Sequence, residues 1–304
     1  MRFAPNCLPL PYVPVLFPGE LLSSWLRRIG MEYGVTFEQL ALHFGLSRTK
    51  PIDVDLALAT TDVKRLAVAL RSSPAEIRQS MHQPLRLPAR ALRADRTPIQ
   101  VCPSCRIQHR AANAQPVFLK DWYEYWQIEC RACRILLSPP GGTVLRQCNP
   151  ARERPEWFAQ ILPAARMGAS RLASFARRPF STSLSPVAVL CLMSRPLTPG
   201  WMSTKDAGGD EIYSSWERHC IADLFVPGLH ELMREENVIP APWTAQKPVR
   251  LVTARTILLA ALSAFLVDPK QSFKAVQHAV GFRPRSPLER WFDGLPSHSQ
   301  EILS

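Results

Sequence analysis

The 304-residue sequence lacks the signatures that would mark a catalyst. No glycine-rich phosphate-binding loop is present, which argues against a nucleotide-driven motor. The seven histidines are dispersed, and none stands in metalloprotease spacing or beside a nucleophile motif. Acidic residues are sparse in the basic half, and no spaced Asp/Asp/Glu set marks a two-metal nuclease. Long apolar runs are also missing. The best candidate, residues 251–267, is short for a membrane span and contains Arg255, so it reads as a buried core helix. Nothing at the N-terminus resembles a secretory signal, which argues against a disulfide framework. The absences lead us to expect a cytoplasmic, non-enzymatic protein without a membrane partner.

What is present begins with cysteine spacing. Cys102-Pro-Ser-Cys105 and Cys130-Arg-Ala-Cys133 each leave a two-residue gap, so both sulfurs of a turn can face one ion. Two such knuckles supply four thiolates, the complement of a closed tetrahedral site for one structural Zn2+. The 24 intervening residues would form a loop clipped shut by the metal. A redox Cys-x-x-Cys fits less well, because no βαβ pattern surrounds the pairs; coincidental buried thiols are the remaining alternative. His109 could replace one sulfur, but with four cysteines available it reads as a bystander. Cys7, Cys148, Cys191 and Cys220 are isolated and read as small buried hydrophobes.

The net charge of +12 is uneven. Residues 1–100 carry 13 Lys/Arg against 8 Asp/Glu, residues 101–180 carry 12 against 5, and the remainder balances. Most of the excess is arginine, which suits bidentate phosphate contact. A basic region beside a zinc module points to nucleic acid. Candidate contacts are Arg71, Arg78, Arg86, Arg90, Arg93 and Arg96, together with Arg106 and Arg110 at the first knuckle.

The pattern predicts a mainly α fold: a helical N-terminal region with a helix-turn-helix-like corner, a small zinc-ribbon module and a helical C-terminal domain. The expected boundaries are 1–97, 98–150 and 151–304. Residues 1–18 are punctuated by proline and should be extended. Leu22, Trp25, Leu26 and Ile29 recur at helical spacing, with Arg27 and Arg28 placed off that stripe. Thr36 caps a second short helix that stops at Gly45. Over 61–81 two helices are expected, the second opened by a Ser-Pro-x-Glu capping box. Phe118, Trp122, Tyr123, Tyr125 and Trp126 should form the small module's core. Beyond residue 155 the chain reads as helical, with one helix interrupted by Pro163.

The segment Phe17-Pro18-Gly19-Glu20-Leu21-Leu22-Ser23-Ser24-Trp25-Leu26-Arg27-Arg28 resembles the opening of the TniQ/TnsD family, whose signature runs Pro-Gly-Glu-Ser-Leu-x-Ser-Trp-Leu-x-Arg. Leu21 stands where Ser is common. The distance to Cys102 is similar, as is the tryptophan-bearing stretch, here with Trp126, that leads to Cys130, Cys133 and the run Ile135-Leu136-Leu137. Many relatives have Cys-x-x-His at the second knuckle. Many also add a further cysteine pair, for which only Cys148 remains here. The resemblance covers about the first 140 residues. It implies a bacterial, non-catalytic accessory protein of transposition that selects the target site. Such a protein acts by binding double-stranded DNA or by bridging a guide RNA effector complex to a transposase or AAA+ ATPase. The competing readings are a zinc-ribbon transcription regulator and, behind it, a DNA-processing nuclease or recombinase.

Overall fold

A computed structural model of the protein describes residues 8–85, 92–94, 97–112, 116–140, 155–178, 184–195, 204–205, 211–212, 220–226, 229, 248, 252–280 and 287–304. Among these the chain is mainly helical; the strands are one antiparallel pair of two residues each, Thr204–Lys205 (β1) and Glu211–Ile212 (β2). The chain packs as two compact units, Met1–Leu85 with Arg93–Pro140, and Arg86–Leu92 with Gly141–Ser304. Sequence placed a boundary at 97–98, yet the cysteine module groups with the N-terminal helices in the first unit.

In the first unit the helices are α1 (Leu22–Glu32), α2 (Phe37–His43), α3 (Pro51–Leu56), α4 (Thr60–Ala69), α5 (Pro74–Ser80) and α6 (Pro103–Ala112). Helix α1 turns Leu22, Trp25, Leu26 and Ile29 inward, the i, i+3, i+4, i+7 stripe expected of a helix packed on one side. Helices α2 and α3 pack on α1, and α4 packs on α5. Two capping boxes fix starts: Thr36 with Gln39 opens α2, and Ser73 with Glu76 opens α5, where Pro74 takes the first turn. Helix α1 has no side-chain cap of its own. Asp55 supplies one from α3, accepting from the Ser23 N–H at 2.8 Å and the Ser23 hydroxyl at 2.5 Å. Burial pushes the Asp55 carboxyl up to about 7 against those hydrogen bonds.

The second unit contains α7 (Pro155–Arg177), α8 (Pro186–Met193), α9 (Val252–Phe265), α10 (Pro269–Val280), α11 (Pro287–Asp293) and α12 (Ser297–Leu303). Every residue of α9 from 254 to 263 is buried, Arg255, Thr256 and Ser263 among them, so this mostly apolar helix is enclosed on all sides and forms the unit's axis. Helix α7 lies against it, and Gly168 makes the approach possible: a Cβ there would sit 1.9 Å from the Leu259 carbonyl oxygen. The expected break at Pro163 does not occur. Helix α7 runs through that residue, because Phe158, Ile161, Ala165 and Leu172 bury one continuous face on either side of it. Among the described residues no single helix is long and apolar enough to cross a membrane; α9 and α10 reach that length only as a pair bent by 114°.

Candidate metal centre

The first knuckle opens a helix, whereas sequence suggested a ribbon. Cys102 stands immediately before α6, and its sulfur accepts the Cys105 N–H at 3.4 Å, the position where a capping oxygen normally sits. Its carbonyl accepts the Arg106 N–H at 2.9 Å. A thiolate there also gains from the positive end of the helix. The second knuckle is a tight turn: the Arg134 N–H reaches the Cys130 carbonyl at 2.9 Å, and the Cys130 N–H reaches Ile135 at 2.8 Å. Bridges Glu129↔Leu136 and Val101↔Ser138 then lay the chain beyond this knuckle beside the first.

This folding brings the Sγ atoms of Cys102, Cys105, Cys130 and Cys133 within 4.8 Å of one another. Cys105 lies 3.6 Å from Cys130 and 3.4 Å from Cys133. A disulfide needs roughly 2.0 Å. A tetrahedron with Zn–S bonds of 2.3 Å has an edge of about 3.8 Å. The cluster therefore has the dimensions of a four-thiolate site and is compatible with one zinc ion. Burial pushes the Cys102 thiol up to about 11 and raises Cys105 as well, while hydrogen bonds from Cys105 and Ser104 draw Cys133 down. Crowded, buried thiols resist ionising together; a divalent cation between them reverses that preference.

Buried aromatic rings, ion pairs and hydrogen bonds surround the cluster. Trp122, Tyr123, Tyr125 and Trp126 are all buried, as expected of this module's core. Arg131, inside the second knuckle, reaches Asp121 at 3.2 Å and Glu124 at 3.7 Å. Gln100 donates to the carbonyls of Asp121, Glu124 and Gln127 across the intervening loop. His109 lies outside the sulfur cluster and packs on the Phe17 ring, centroids 4.7 Å apart.

Phe17 belongs to the N-terminal signature, whose residues form a staple. Glu20 and Arg28 are 1% and 3% exposed and form a bidentate pair, Nη2 to Oε2 at 2.7 Å and Nε to Oε1 at 2.9 Å. The Ser24 hydroxyl donates to Glu20 at 2.8 Å and accepts the Phe118 N–H at 2.9 Å. Trp25 Nε1 donates to the Pro14 carbonyl at 2.7 Å, and Arg28 lies over the Phe17 ring at 4.8 Å. Gly19, with φ +76°, lets the arm turn so that Glu20 bridges Leu119. The signature thus ties the extended arm, α1 and the strand-like run before the second knuckle together. Sequence placed Arg28 off the core stripe; its buried carboxylate partner draws it in.

The basic candidates separate. Arg71, Arg78 and Arg110 are exposed. Arg106 is half-buried and donates to the Pro140 carbonyl at 2.9 Å. Arg93 must leave the surface set: it is 6% exposed, donates to the Gln83 carbonyl at 2.7 Å and lies 4.0 Å from Glu124. Arg86, Arg90 and Arg96, like Cys7 and Cys148, lie outside the described residues. Arg134 is exposed beside the second knuckle and was not anticipated.

Comparison with known proteins supplies the remaining finding: residues 11–135 match the TniQ family. Residues 11–135 form a TniQ domain. The match begins in the arm, spans the staple and ends just past Cys133, so it covers both the N-terminal signature and the cysteine pairs. A domain of this family implies an association with transposition. No curated protein and no solved structure matches the chain.

Proposed function

We propose that this TniQ protein is a DNA-binding accessory factor of transposition, which selects the insertion site or bridges a targeting complex to the transposase or its AAA+ ATPase. One observation carries the reading: the family match runs unbroken from the staple through both knuckles. The exposed Arg71, Arg78 and Arg110 and the net charge of +12 support contact with duplex DNA. The corner formed by α4 and α5 has helix-turn-helix proportions, which supports the same surface.

Cys102, Cys105, Cys130 and Cys133 would hold one Zn2+, which supplies a structural cross-link and no reactive position. The role assigned to the chain is binding without catalysis. Helix α6 offers Arg110 beside the first knuckle, and the staple fixes that knuckle's neighbour His109 through Phe17.

The test is a mobility-shift titration with linear duplex DNA at several salt concentrations, paired with capture assays against the transposase and AAA+ ATPase of a transposon that carries a TniQ gene. Binding that weakens steeply with salt, or retention of either transposition protein, is expected. Absence of both at low salt rejects the reading. Nicking of supercoiled DNA in Mg2+ or Mn2+ that disappears on changing one carboxylate would overturn the non-catalytic role.

A further inference from the structure

Three helices of the first unit end in the same hydrogen-bonded turn, and one is built from a different residue. After α1 the Gly34 N–H reaches Met31 at 3.2 Å and the Val35 N–H reaches Gly30 at 2.8 Å. After α2 the Gly45 N–H reaches Leu42 at 2.8 Å and the Leu46 N–H reaches Ala41 at 3.0 Å. After α4 the Arg71 N–H reaches Val68 at 3.3 Å and the Ser72 N–H reaches Ala67 at 2.9 Å. The turning residue has φ +66° at Gly34, +60° at Gly45 and +50° at Arg71. Glycine takes this conformation without steric cost, whereas an arginine Cβ is crowded by its own backbone.

The second knuckle repeats the exchange. Arg134 follows Cys133 with φ +57°, and among the described residues Arg71 and Arg134 are the non-glycine residues with positive φ. Both side chains are exposed, and among the described residues neither has a carboxylate within ion-pair distance. Arg131, three residues before Arg134, is by contrast paired with Asp121 and Glu124, and Arg48 with Asp53. An exposed cation without an acidic partner gives the fold nothing that offsets strained backbone. Strain kept in that way points to a use outside the fold.

We propose that Arg71 and Arg134 are contacts to the phosphodiester backbone of duplex DNA, held at strained positions for their guanidinium groups. The inference rests on the DNA-binding reading above and adds to it Arg134, which lies beside the metal centre, and a physical reason for Arg71. A guanidinium presents a planar fork of donors to phosphate oxygens and keeps its charge at any physiological pH. Contacts of this kind position a protein on the duplex without reading sequence, so the pair should act alike on unrelated DNA. Arg134 has one competing role, balancing the charge of four thiolates around a metal, and zinc content separates the two.

The experiment uses the full metal-loaded chain and its Arg71→Gly, Arg134→Gly and double variants, with Arg48→Ala as the paired-arginine control. Affinity for two unrelated linear duplexes is measured across a salt series, together with Tm and bound zinc. Each glycine variant should melt about 1–3 °C higher, since strain is relieved. Each should also bind both duplexes more weakly, with a log–log salt slope shallower by about 0.9, or about 1.8 for the double variant. Arg48→Ala should leave the slope unchanged. If wild-type protein fails to bind duplex DNA at low salt, the functional reading falls and takes this inference with it. If wild type binds and the double variant keeps the same slope, only the inference falls. Zinc loss in Arg134→Gly with unaltered DNA binding overturns the assignment of Arg134, and an equal loss of slope in Arg48→Ala overturns it for both.

Discussion

The two units differ in how much polar chemistry their interiors are built around. The first is organised around buried polar chemistry: a fully enclosed Glu20–Arg28 pair, the carboxyl of Asp55 capping a distant helix, and four sulfurs gathered at one point. The second is organised around α9, a mostly apolar helix that encloses Arg255 and is packed so closely by α7 that Gly168 has no room for a methyl group. Buried polar groups tolerate few substitutions, because each partner left alone in the interior is costly. An apolar core accepts many sequences of similar volume. The match to TniQ, residues 11–135, covers most of the first unit and stops short of Gly141, where the larger part of the second unit begins.

Metal removal should separate the units most sharply. Cys102→Ser or Cys130→Ser, or a strong chelator, should release zinc and unfold the cysteine module, since metal-binding energy on the order of 10 kcal/mol is folding energy here. Near-ultraviolet signals from Trp122 and Trp126 should collapse while most helical circular dichroism persists. Loss of all helical signal together would break the comparison. The buried pair comes next. Glu20→Ala should destabilise the first unit by about 3–5 kcal/mol, measured by urea unfolding, because Arg28 is left uncompensated. Glu20→Leu combined with Arg28→Met should recover much of that loss; failure to recover would make the pair a source of stability in its own right.

A smaller effect is expected in the second unit. Gly168→Ala forces α7 and α9 apart and should cost about 1–3 kcal/mol despite alanine's better helix propensity. A neutral result would show the helix contact to be loose. In the unaltered protein the smallest effect is that of pH, because two opposing shifts offset each other. Asp55 titrates near 7 when folded against 3.8 ordinarily, so its contribution is full below about pH 4 and is lost as pH rises through 7. His82 is buried and pushed down to about 3, by burial first and then by Arg93 and Lys120. Its contribution is full above about pH 6.5 and is lost as pH falls toward 3. The two nearly cancel in wild type. Asp55→Asn should therefore leave stability rising with pH between 3 and 6.5, and His82→Gln should leave it falling between 4 and 7, as read by urea midpoints. Parallel profiles for the two variants would contradict these environments.

Much of the first unit was legible because its signals are local. The Thr36 and Ser73 caps, the Gly45 stop and the Leu22-Trp25-Leu26-Ile29 stripe depend on residues within a turn or two of one another. The cysteine pairs were legible because two-residue gaps serve few other purposes. Arg28 and Arg93 were misplaced because their partners, Glu20 through a tight turn and Glu124 some thirty residues on, become neighbours only in the fold. Pro163 was read as a break because local rules weigh the missing N–H, whereas the face buried against α9 outweighs it. Helix α3 and the short C-terminal helices α11 and α12 carry too few turns for periodicity to register.

By itself, then, the sequence determined which four cysteines come together in a geometry compatible with a metal ion, where most helices of the first unit begin and end, and which family the region resembles. Each of these follows from spacing along the chain. Tertiary structure alone decided that the signature's Glu20, Ser24 and Arg28 close on the run before the second knuckle, that α6 grows directly from Cys102, and that two arginines occupy turns suited to glycine. The physical reason is that burial, pairing and backbone strain belong to groups distant in sequence, and acquire their energies only when packing removes water from between them.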